Sequence, residues 1–594
     1  MKKTNYLLMA VAGMSFFFAA CSNDEMDNTA GAITPDMETS YAQVRISMSG
    51  LPGTRADSDF DGFDDGTPQE AKINNLTLLL YAGDDLVGVG TSESFTTPTR
   101  PNTNPNQSVS DSYKSSIVKI SLFPGKAMPT KLEAYVNTYA ENENPINIPV
   151  EKVSSIGSLS KGFVMSNAGY YKGNNWTIST TIDPAKTIFN NEADAKAASN
   201  DGIIDIYVER LAAKVKVNKK ESDFNCYADV VIKDKEGNEY KILFEPKKWN
   251  VTGTAREMYM MKQAFDKNLT WANDDPNYRS YWAEGVNYTT SFADYNGSSS
   301  PLVYVSANKM LSKTAGIGND FNAVEYTMEH TYGNNAKNGD AFDPVMTSTC
   351  AIIVGKYAVK TADGQDAAKF KVENSDNYQY YLSMSGSEGG KTFYTIYNEA
   401  EMIQLLLDRS NIMLSASEDG NNQVVDLKAN FTVKTSKADK TVSLVLKGTP
   451  TLYYKEIVAQ DATTNNWQPL TQDALKGMAY ARNYLNGWAY YFVPIEHHPL
   501  STGEIGTYGV VRNHSYVLTI NSITGVGAPL DDLLNGGNPE GTTPKDPDPD
   551  DPDSPVDPGD NPIKPDPDDL KDAYINATLQ VLSWHNAVNQ DVDP

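Results

Sequence analysis

The chain has 594 residues, is 40% hydrophobic and carries a formal net charge of −26 at pH 7. An acidic excess of this size argues against nucleic acid as a partner, because DNA and RNA bind to basic surfaces. The chain contains only three cysteines, too few for a disulfide scaffold. We expect Cys226 and Cys350 to be isolated buried thiols, with a single disulfide between them as the alternative.

Residues 1–20 have the pattern of a secretory signal peptide. Lys2 and Lys3 precede an apolar run from Tyr6 to Phe18, which is too short for a stable membrane span. Small residues then lead into Cys21, an arrangement that resembles a bacterial lipobox. The sequence therefore predicts an exported lipoprotein that is acylated at Cys21, and the alternative is an ordinary signal peptide that ends beside a cysteine.

A strand is predicted near the N-terminus, followed by a cleavable loop. Alternate residues of this strand are apolar and share one face, which is typical of a half-buried strand: Ala42, Val44, Ile46 and Met48. Gly50, Pro52 and Gly53 then predict an exposed loop, the preferred place for proteolysis. We predict trypsin-like cleavage between Arg55 and Ala56, so that residues 21–55 form a lipidated propeptide with a removable strand.

The body of the chain reads as mainly β. Short strand-like runs separated by turns are typical of β-sandwiches, and we predict strands at Ile73–Tyr81, Ile117–Phe123, Lys131–Val136, Ile203–Val208, Ala228–Ile232, Tyr240–Phe244, Cys350–Tyr357, Phe431–Thr435, Val442–Leu446 and Ser515–Ile523. Helices are predicted at Glu399–Asp408 and Thr471–Tyr484. We expect two domains, residues 56–207 and 208–537.

The C-terminus combines a spacer with a second strand. Between Glu540 and Asp569, eleven acidic residues and two lysines give a charge of −9 among many prolines. We predict residues 538–569 to be an extended linker that packs no core. In residues 570–594 the apolar face of a predicted donor strand comprises Ile575, Ala577, Leu579 and Val581, and Trp584 closes the strand.

The two terminal strands have matching patterns and are candidates for one groove. Cleavage after Arg55 would free the N-terminal strand and expose unpaired strand edges. The C-terminal strand of a neighbour could then enter by strand addition, giving a head-to-tail contact that does not close and therefore builds a filament. The alternative is a monomeric surface lipoprotein whose last strand belongs to its own domain and whose loops bind glycans or host proteins.

The remaining candidate residue clusters give little indication of a metal, cofactor or catalytic site. Asp57, Asp59, Asp61 and Asp65 alternate around a glycine and are a weak calcium candidate, although the glutamate of an EF-hand is missing. A solvated acidic loop is the alternative. We expect no metal, no cofactor and no enzymatic activity, because the sequence has no zinc spacing, nucleophile elbow or P-loop. Trp282 and Trp584 are expected to be core residues.

Several segments, in order along nearly the whole chain, resemble the type V pilins, the shaft subunits of protease-matured fimbriae on Gram-negative outer membranes. The likeness is strongest to the shaft subunit of the short (minor) fimbrium. It is carried by Val208–Val215, Tyr278–Ala283, Tyr326–Thr331, Tyr490–His498, Val511–Val526, Leu579–Trp584 and Asn589–Asp593.

This resemblance implies two transthyretin-like β-sandwich domains with minor helical insertions. It implies lipoprotein export to the outer membrane and cleavage after an arginine. It also implies polymerisation by donor-strand exchange and a role in adhesion as part of a cell-surface fimbrium. The partners it implies are other copies of the chain, tip and anchor subunits, an Arg-specific protease, and host or bacterial surface receptors.

Overall fold

The computed structural model describes residues 38–48, 63–64, 66–96, 113–138, 151–172, 175–226, 229–264, 282–290, 294–295, 300–306, 310, 318–332, 344–436, 440–457, 466–498, 506–530, 563–565 and 573–584. Over these residues the fold is mainly β, as the sequence predicts. Each predicted strand segment of the body overlaps an observed strand. None of the helices in the described part of the chain is long and apolar enough to cross a membrane.

The helical elements are short. The α-helices are Pro184–Thr187, Glu192–Lys196, Pro344–Thr347, Glu399–Ser410 and Leu427–Asn430, and the 3₁₀ turns are Asn200–Gly202, Ala368–Phe370, Gln472–Ala474 and Leu485–Gly487. The predicted helix that begins at Glu399 is confirmed. It starts with a capping box between Asn398 and Glu401, which satisfies two backbone N–H groups that the first turn leaves without helical partners.

An N-terminal sheet surrounds one core. In spatial order its described strands are Met165–Asn167, Ile203–Arg210, Glu38–Ser47, Tyr113–Leu122, Asp85–Ser92, Leu76–Ala82, Lys131–Val136 and Thr180–Thr181. Met165–Asn167 also pairs with Lys131–Val136, so the pairings close into a ring. The enclosed side chains include Leu78, Ile120, Leu132 and Ile206, all fully buried.

Two further sheets face each other across a second core. The smaller sheet contains, in order, Phe63–Asp64, Tyr574–Trp584, His514–Thr524, Ala212–Lys219 and Val324–Met328. The larger contains Arg482–Tyr484, Tyr380–Glu388, Lys391–Tyr397, Val230–Lys233, Glu239–Thr252, Cys350–Thr361, Trp488–Pro494 and Ala528–Pro529, with Phe224–Asn225 beside Glu239–Thr252. Val215 and Leu518 from the first sheet share a cluster with Ile242 and Ile353 from the second, which makes this part a β-sandwich.

Small sheets complete the described fold. Two three-stranded sheets, Ile412–Ser415 with Tyr453–Glu456 and Gln468–Pro469, and Phe431–Ser436 with Thr441–Leu446 and Met478–Tyr480, form a third core with the helix Glu399–Ser410. Strand pairs occur at Tyr170–Lys172 with Asn175–Thr177, Gly157–Ser158 with Gly162–Phe163, Lys152–Val153 with Met258–Tyr259, Thr254–Ala255 with Leu302–Val303, and His330–Thr331 with Gly509–Val510.

The second predicted helix, Thr471–Tyr484, is wrong. This segment forms one 3₁₀ turn followed by the strands Met478–Tyr480 and Arg482–Tyr484. Met478 and Tyr480 are exposed whereas Ala479 and Ala481 are buried, a period of two that belongs to extended chain. Gly477 lies so close to Leu406 O that any β-carbon there would clash, so tertiary packing overrides the helical spacing.

The interpretation of the linker as a segment that packs no core is also incomplete. Of residues 538–569 the structure describes 563–565, and there Ile563 is fully buried. Its amide donates to Val305 O over 2.8 Å, and its side chain joins a cluster with Ile352 and Leu530. One apolar residue among prolines and aspartates is enough to attach the linker to the body, because burying it removes apolar surface from water.

Buried ion pairs lie where the N-terminal ring meets the sandwich. Lys262 Nζ lies 2.9 Å from Glu209 Oε2, with both side chains 0% exposed. The Arg512 guanidinium binds both carboxylate oxygens of Glu329 and donates to the carbonyls of Tyr259 and Met260. Breaking either pair would leave a buried charge without its partner, so both pairs favour one arrangement of the junction.

Candidate functional site: the two terminal strands

The N-terminal strand, Glu38–Ser47, lies in the interior of the ring. It runs antiparallel to Tyr113–Leu122 along its whole length and parallel to Ile203–Tyr207 on its other edge. Alternation of apolar and polar residues turns one face inward, as the sequence predicts. On that face Ala42, Val44 and Ile46 are 0% exposed and Met48 is 1% exposed.

Polar contacts join the outer face of the N-terminal strand to neighbouring segments. Arg45 reaches across to Asp205 on the parallel neighbour, with Nε 2.6 Å from Oδ1 and Nη2 2.7 Å from Oδ2. At the start of the strand, Tyr41 and Phe189 exchange two backbone hydrogen bonds of 2.7 and 2.8 Å. When a strand that is paired on both edges departs, each of its two neighbours is left with an edge of unpaired backbone groups.

The C-terminal strand, Tyr574–Trp584, lies at the margin of the smaller sandwich sheet of its own molecule. It pairs antiparallel with His514–Thr524 along its length. On its other edge, the pairing seen among described residues is limited to Phe63–Asp64, which runs parallel to its last two residues. This strand is therefore docked within the chain, which answers a question that the sequence leaves open.

The predicted apolar face of the C-terminal strand does face the core. Ile575 is 8% exposed, and Ala577, Leu579 and Val581 are half-buried against the sandwich core. The corresponding residues of the N-terminal strand are fully buried. On leaving its sheet, the half-buried apolar face of a strand with one long pairing exposes less apolar surface than the fully buried face of a strand with two pairings.

Trp584 points the other way from this apolar face, because its even number places it on the opposite side of the strand. It is 0% exposed in a tryptophan pocket, which we define as Phe163, Arg210, Lys214 and Tyr326. Tyr326 stacks on its ring at 5.7 Å between centroids, and Phe163 meets it edge-on at 5.6 Å. The Arg210 guanidinium lies 4.5 Å from the ring centroid, a favourable cation–π distance.

The backbone around Trp584 is held as well. Its amide donates to Asn513 O over 3.1 Å, and its carbonyl accepts a hydrogen bond of 3.3 Å from Arg210 Nη1. Arg210 Nη1 also donates to Asn513 Oδ1. Phe163 comes from the segment before residue 207, whereas Arg210 and Asn513 flank the sandwich strands, so this pocket joins both parts of the fold.

A charged cluster of Asp64, Glu70 and Lys214 lies beside the tryptophan pocket. Lys214 Nζ is 3.0 Å from Asp64 Oδ2 and 3.1 Å from Glu70 Oε1. Burial of Asp64 acts to raise the pKa of this carboxyl. The hydrogen bonds from Ser515 and the Gly66 amide, together with Lys214, outweigh burial and hold the pKa below its ordinary value of 3.8.

The segments that carry the sequence resemblance converge here. Arg210 and Lys214 come from one of them, Tyr326 from a second, Asn513 from a third and Trp584 from the last. Of these residues, sequence reasoning identified only Trp584, as the end of the donor strand. The sequence offered one further signal, namely an arginine directly before the apolar run Leu211–Ala213.

The remaining predicted site residues lie outside the described part of the chain: Cys21, Arg55, Ala56, Asp57, Asp59, Asp61 and Asp65. Phe63 and Asp64 are the nearest described residues on the C-terminal side of the predicted cleavage point. They are the ones that pair with the C-terminal strand. The two predicted events, cleavage and strand release, therefore concern neighbouring stretches of chain.

Among the described residues, no group of three or more His, Cys, Asp or Glu side chains could hold a metal ion. Cys226 and Cys350 are both buried, and no disulfide joins these two described cysteines, in agreement with the sequence expectation. Burial raises the pKa of the Cys226 thiol to about 12, which makes it unreactive. Trp282, like Trp584, is fully buried.

Residues 482–590 match the family described as major fimbrial subunit protein type IV, fimbrillin, C-terminal. The matched region contains the C-terminal strand and the strand His514–Thr524 on which it docks. No curated protein matches the chain.

Solved structures similar to the chain include a fimbrilin (FimA) from Porphyromonas gingivalis W83, 14% identical with a TM-score of 0.33 over 94% of this chain and 100% of that one. A protein described as a cell adhesion protein from Parabacteroides distasonis is 12% identical with a TM-score of 0.32 over 92% and 98%. The tip fimbrial protein Mfa3 from P. gingivalis, truncated at its C-terminus, is 11% identical with a TM-score of 0.20 over 61% and 99%. At TM-scores this low, these likenesses support no statement about the site.

Proposed function

We propose that the chain, whose residues 482–590 match the fimbrillin C-terminal family, is a type V pilin and a shaft subunit of a cell-surface fimbrium. In this proposal the subunit polymerises head-to-tail by donor-strand exchange. The N-terminal strand is removed by cleavage after Arg55, and the C-terminal strand of the next copy takes its place. The role is structural rather than enzymatic, and serves adhesion.

One observation carries the proposal. The strand that precedes Arg55 is a central strand of a closed ring, with Ala42, Val44 and Ile46 fully buried. Removing it exposes the sites of Val44, Ile46 and Met48, worth roughly 4.5–9 kcal/mol of burial at about 1.5–3 kcal/mol for each side chain, together with the smaller Ala42 site. An open groove of this kind favours capture of another strand.

The position of the C-terminal strand supports its role as donor. It is a marginal strand with a half-buried apolar face, and residues 531–562 precede it along the chain. At roughly 3 Å per residue, these residues in extended form could carry the strand to a neighbouring molecule. The donor strand and the buried Ile563 both need to leave the body first.

Export and maturation complete the proposal. Cys21 is the proposed lipidation site of an outer-membrane lipoprotein precursor, and an Arg-specific protease cuts between Arg55 and Ala56. The proposed partners are other copies of the chain, tip and anchor fimbrial subunits, and host or bacterial surface receptors.

Electron microscopy of the purified full chain before and after limited trypsin tests this function. We expect fibres only after the cut, because only then is the groove open. An Arg55→Ala variant serves as the matched control and should stay monomeric under the same treatment. Fibres from that variant, or no fibres from the cut parent chain, would contradict the proposal.

A second candidate function has one observation in its favour. The C-terminal strand docks in its own molecule, with Ile575 and Trp584 buried, as expected for a monomeric surface lipoprotein that binds glycans or host proteins. Under this function the strand is an ordinary part of its sheet. Deleting residues 570–594 should then unfold the sandwich, whereas a pilin lacking them should stay folded and fail only to extend a filament.

A further inference from the structure

We propose that the incoming C-terminal strand enters the groove in one register, with Ala577 in the place of Ala42 and Gln580 opposite Asp205. This register rests on the proposed function, because it concerns the strand that another copy donates. It runs in the direction of the departing N-terminal strand, parallel to Ile203–Tyr207.

The sizes of the buried side chains favour this register. At the three sites that are 0% exposed Ala42 is replaced by Ala577, Val44 by Leu579 and Ile46 by Val581, while Ser583 takes the place of Met48 at the end of the strand. The first replacement is identical, and the other two change the side chain by a single carbon in opposite directions. Close-packed cores tolerate such volume-conserving exchanges best.

A shift by two residues fits poorly. It would place apolar residues at Ile46 and Met48, but it would also place Ile575 at the Ala42 site and Ala577 at the Val44 site. The change at Ala42 adds three carbons inside a closed ring, and the change at Val44 leaves a cavity next to it. Overpacking and cavities both destabilise a core, and here they would occur at neighbouring positions.

Reversing the strand is no better. With Ala577 again at the Ala42 site, the reversed strand would place Ala573 at the site of Ile46. That exchange removes three carbons from a position that is 0% exposed. The resulting void lies in the middle of the ring core, where close packing leaves little freedom to collapse around it.

The polar contact on the outer face of the N-terminal strand gives an independent argument for this register. In the uncut chain, Asp205 binds the Arg45 guanidinium through both carboxylate oxygens. Loss of the N-terminal strand leaves this carboxylate without its arginine. In the proposed register Gln580, which is longer than Asn576 and Thr578 on the same face, stands at the Arg45 position and can donate its amide to Asp205.

Disulfide trapping in full-length fibres tests the register. Asp205→Cys is combined in turn with Gln580→Cys, Thr578→Cys and Leu582→Cys, and the cut chains are polymerised under oxidation. A two-residue shift moves a strand by about 6.6 Å, beyond the range in which a disulfide forms. We therefore expect the Gln580 pair to give about tenfold more disulfide-linked oligomers than the Thr578 or Leu582 pair. Asp205→Cys alone measures the background from native thiols.

The outcomes of the trapping experiment distinguish an error in the proposed register from an error in the proposed function. Normal fibres whose disulfide-linked oligomers come mainly from the Thr578 or Leu582 pair would overturn the register and leave the pilin function intact. Fibres that fail to form from the cut parent chain would overturn both.

Charge substitution gives a second readout that needs no cysteines. Gln580→Arg restores a cation opposite Asp205 and should slow fibre dissociation roughly two- to fivefold at low salt, the range of an exposed ion pair. Thr578→Arg is the matched control, because in this register it faces Ile203 and should not slow dissociation. Slower dissociation from the Thr578 variant instead would place that residue opposite Asp205 and overturn the proposal.

Discussion

At the scale of single residues, Trp584 concentrates the contacts that hold the C-terminal strand in its own molecule. Its ring is fully buried between Tyr326, Phe163 and the Arg210 guanidinium. Its carbonyl and amide are also hydrogen-bonded. Release of this strand therefore requires that one large side chain leave a closed pocket.

We expect Trp584→Ala to loosen the docked strand. Truncating a buried tryptophan costs about 3–5 kcal/mol, and here the loss falls on a marginal strand rather than on the ring core. Hydrogen exchange of the amides in residues 574–582 should accelerate strongly, while exchange in Tyr113–Leu122 stays unchanged. Asn576→Ala, at an exposed position of the same strand, is the control. Equal protection in the parent chain and Trp584→Ala would show that the pocket does not hold the strand.

Asp64 makes the same contact region sensitive to acid. Although burial acts against it, the hydrogen bonds from Ser515 and Gly66 and the charge of Lys214 lower its pKa from 3.8. A carboxyl with a lowered folded pKa contributes stability that is complete above its unfolded pKa of about 3.9 and is lost as pH falls through the folded value.

The urea midpoint of unfolding should therefore fall between pH 6 and pH 3 by more in the parent chain than in Asp64→Asn. Asp376→Asn, at a fully exposed carboxylate, should behave like the parent. Parallel pH curves for the parent and Asp64→Asn would rule out this contribution.

At the scale of elements, the two terminal strands differ in how much backbone pairing and buried apolar surface each would give up on leaving its sheet. The N-terminal strand is paired along both edges and buries its apolar face completely. The C-terminal strand is paired along one edge and leaves Ala577, Leu579 and Val581 half-buried. This difference makes the first strand the stable occupant until its connection is cut, and the second the easier one to mobilise.

The stability contribution of Ile46 should disappear with maturation. In the uncut chain Ile46→Ala removes three buried carbons at a site that is 0% exposed, which costs about 2–5 kcal/mol. In fibres of the cut chain the substituted residue has departed, so thermal stability should equal that of the parent. Arg45→Ala, which breaks an exposed ion pair, should cost about 1 kcal/mol or less in the uncut chain.

Persistent destabilisation of Ile46→Ala fibres would mean that the N-terminal strand stays in place during polymerisation. Calorimetry of the uncut chain and of washed fibres measures both states.

At the scale of the whole molecule, buried charges hold the ring and the sandwich together. Glu209 on the last strand of the ring pairs with Lys262, and Glu329 pairs with Arg512 at the start of the sandwich strand His514–Thr524. Neither pair has solvent access.

We expect Lys262→Met to destabilise the chain by about 3–5 kcal/mol, because it leaves the Glu209 carboxylate buried without its cation. Lys196→Met, which breaks the exposed pair with Glu192, should cost less than about 1 kcal/mol. Urea denaturation of both variants checks the contrast. Similar small effects would indicate that water reaches Glu209.

Part of the site follows directly from local patterning. The inward faces of both terminal strands were predictable, because side chains alternate across a strand and one apolar face demands a core. The helix that begins at Glu399 was predictable from the apolar run at Leu405–Leu407. The segment Thr471–Tyr484 was not, because its apolar spacing also fits a strand and the close approach of Gly477 to Leu406 decides between them.

The sequence by itself determined the two terminal strands, their buried faces, the position of Arg55 after the first strand and the acidic segment before the last. Tertiary structure alone decided that the N-terminal strand sits between Ile203–Arg210 and Tyr113–Leu122 and that the C-terminal strand docks on His514–Thr524. It also decided that Trp584 is enclosed by residues far apart in the chain. The physical reason is that strand pairing is made by backbone hydrogen bonds between distant segments, and these leave no periodic trace in either segment alone.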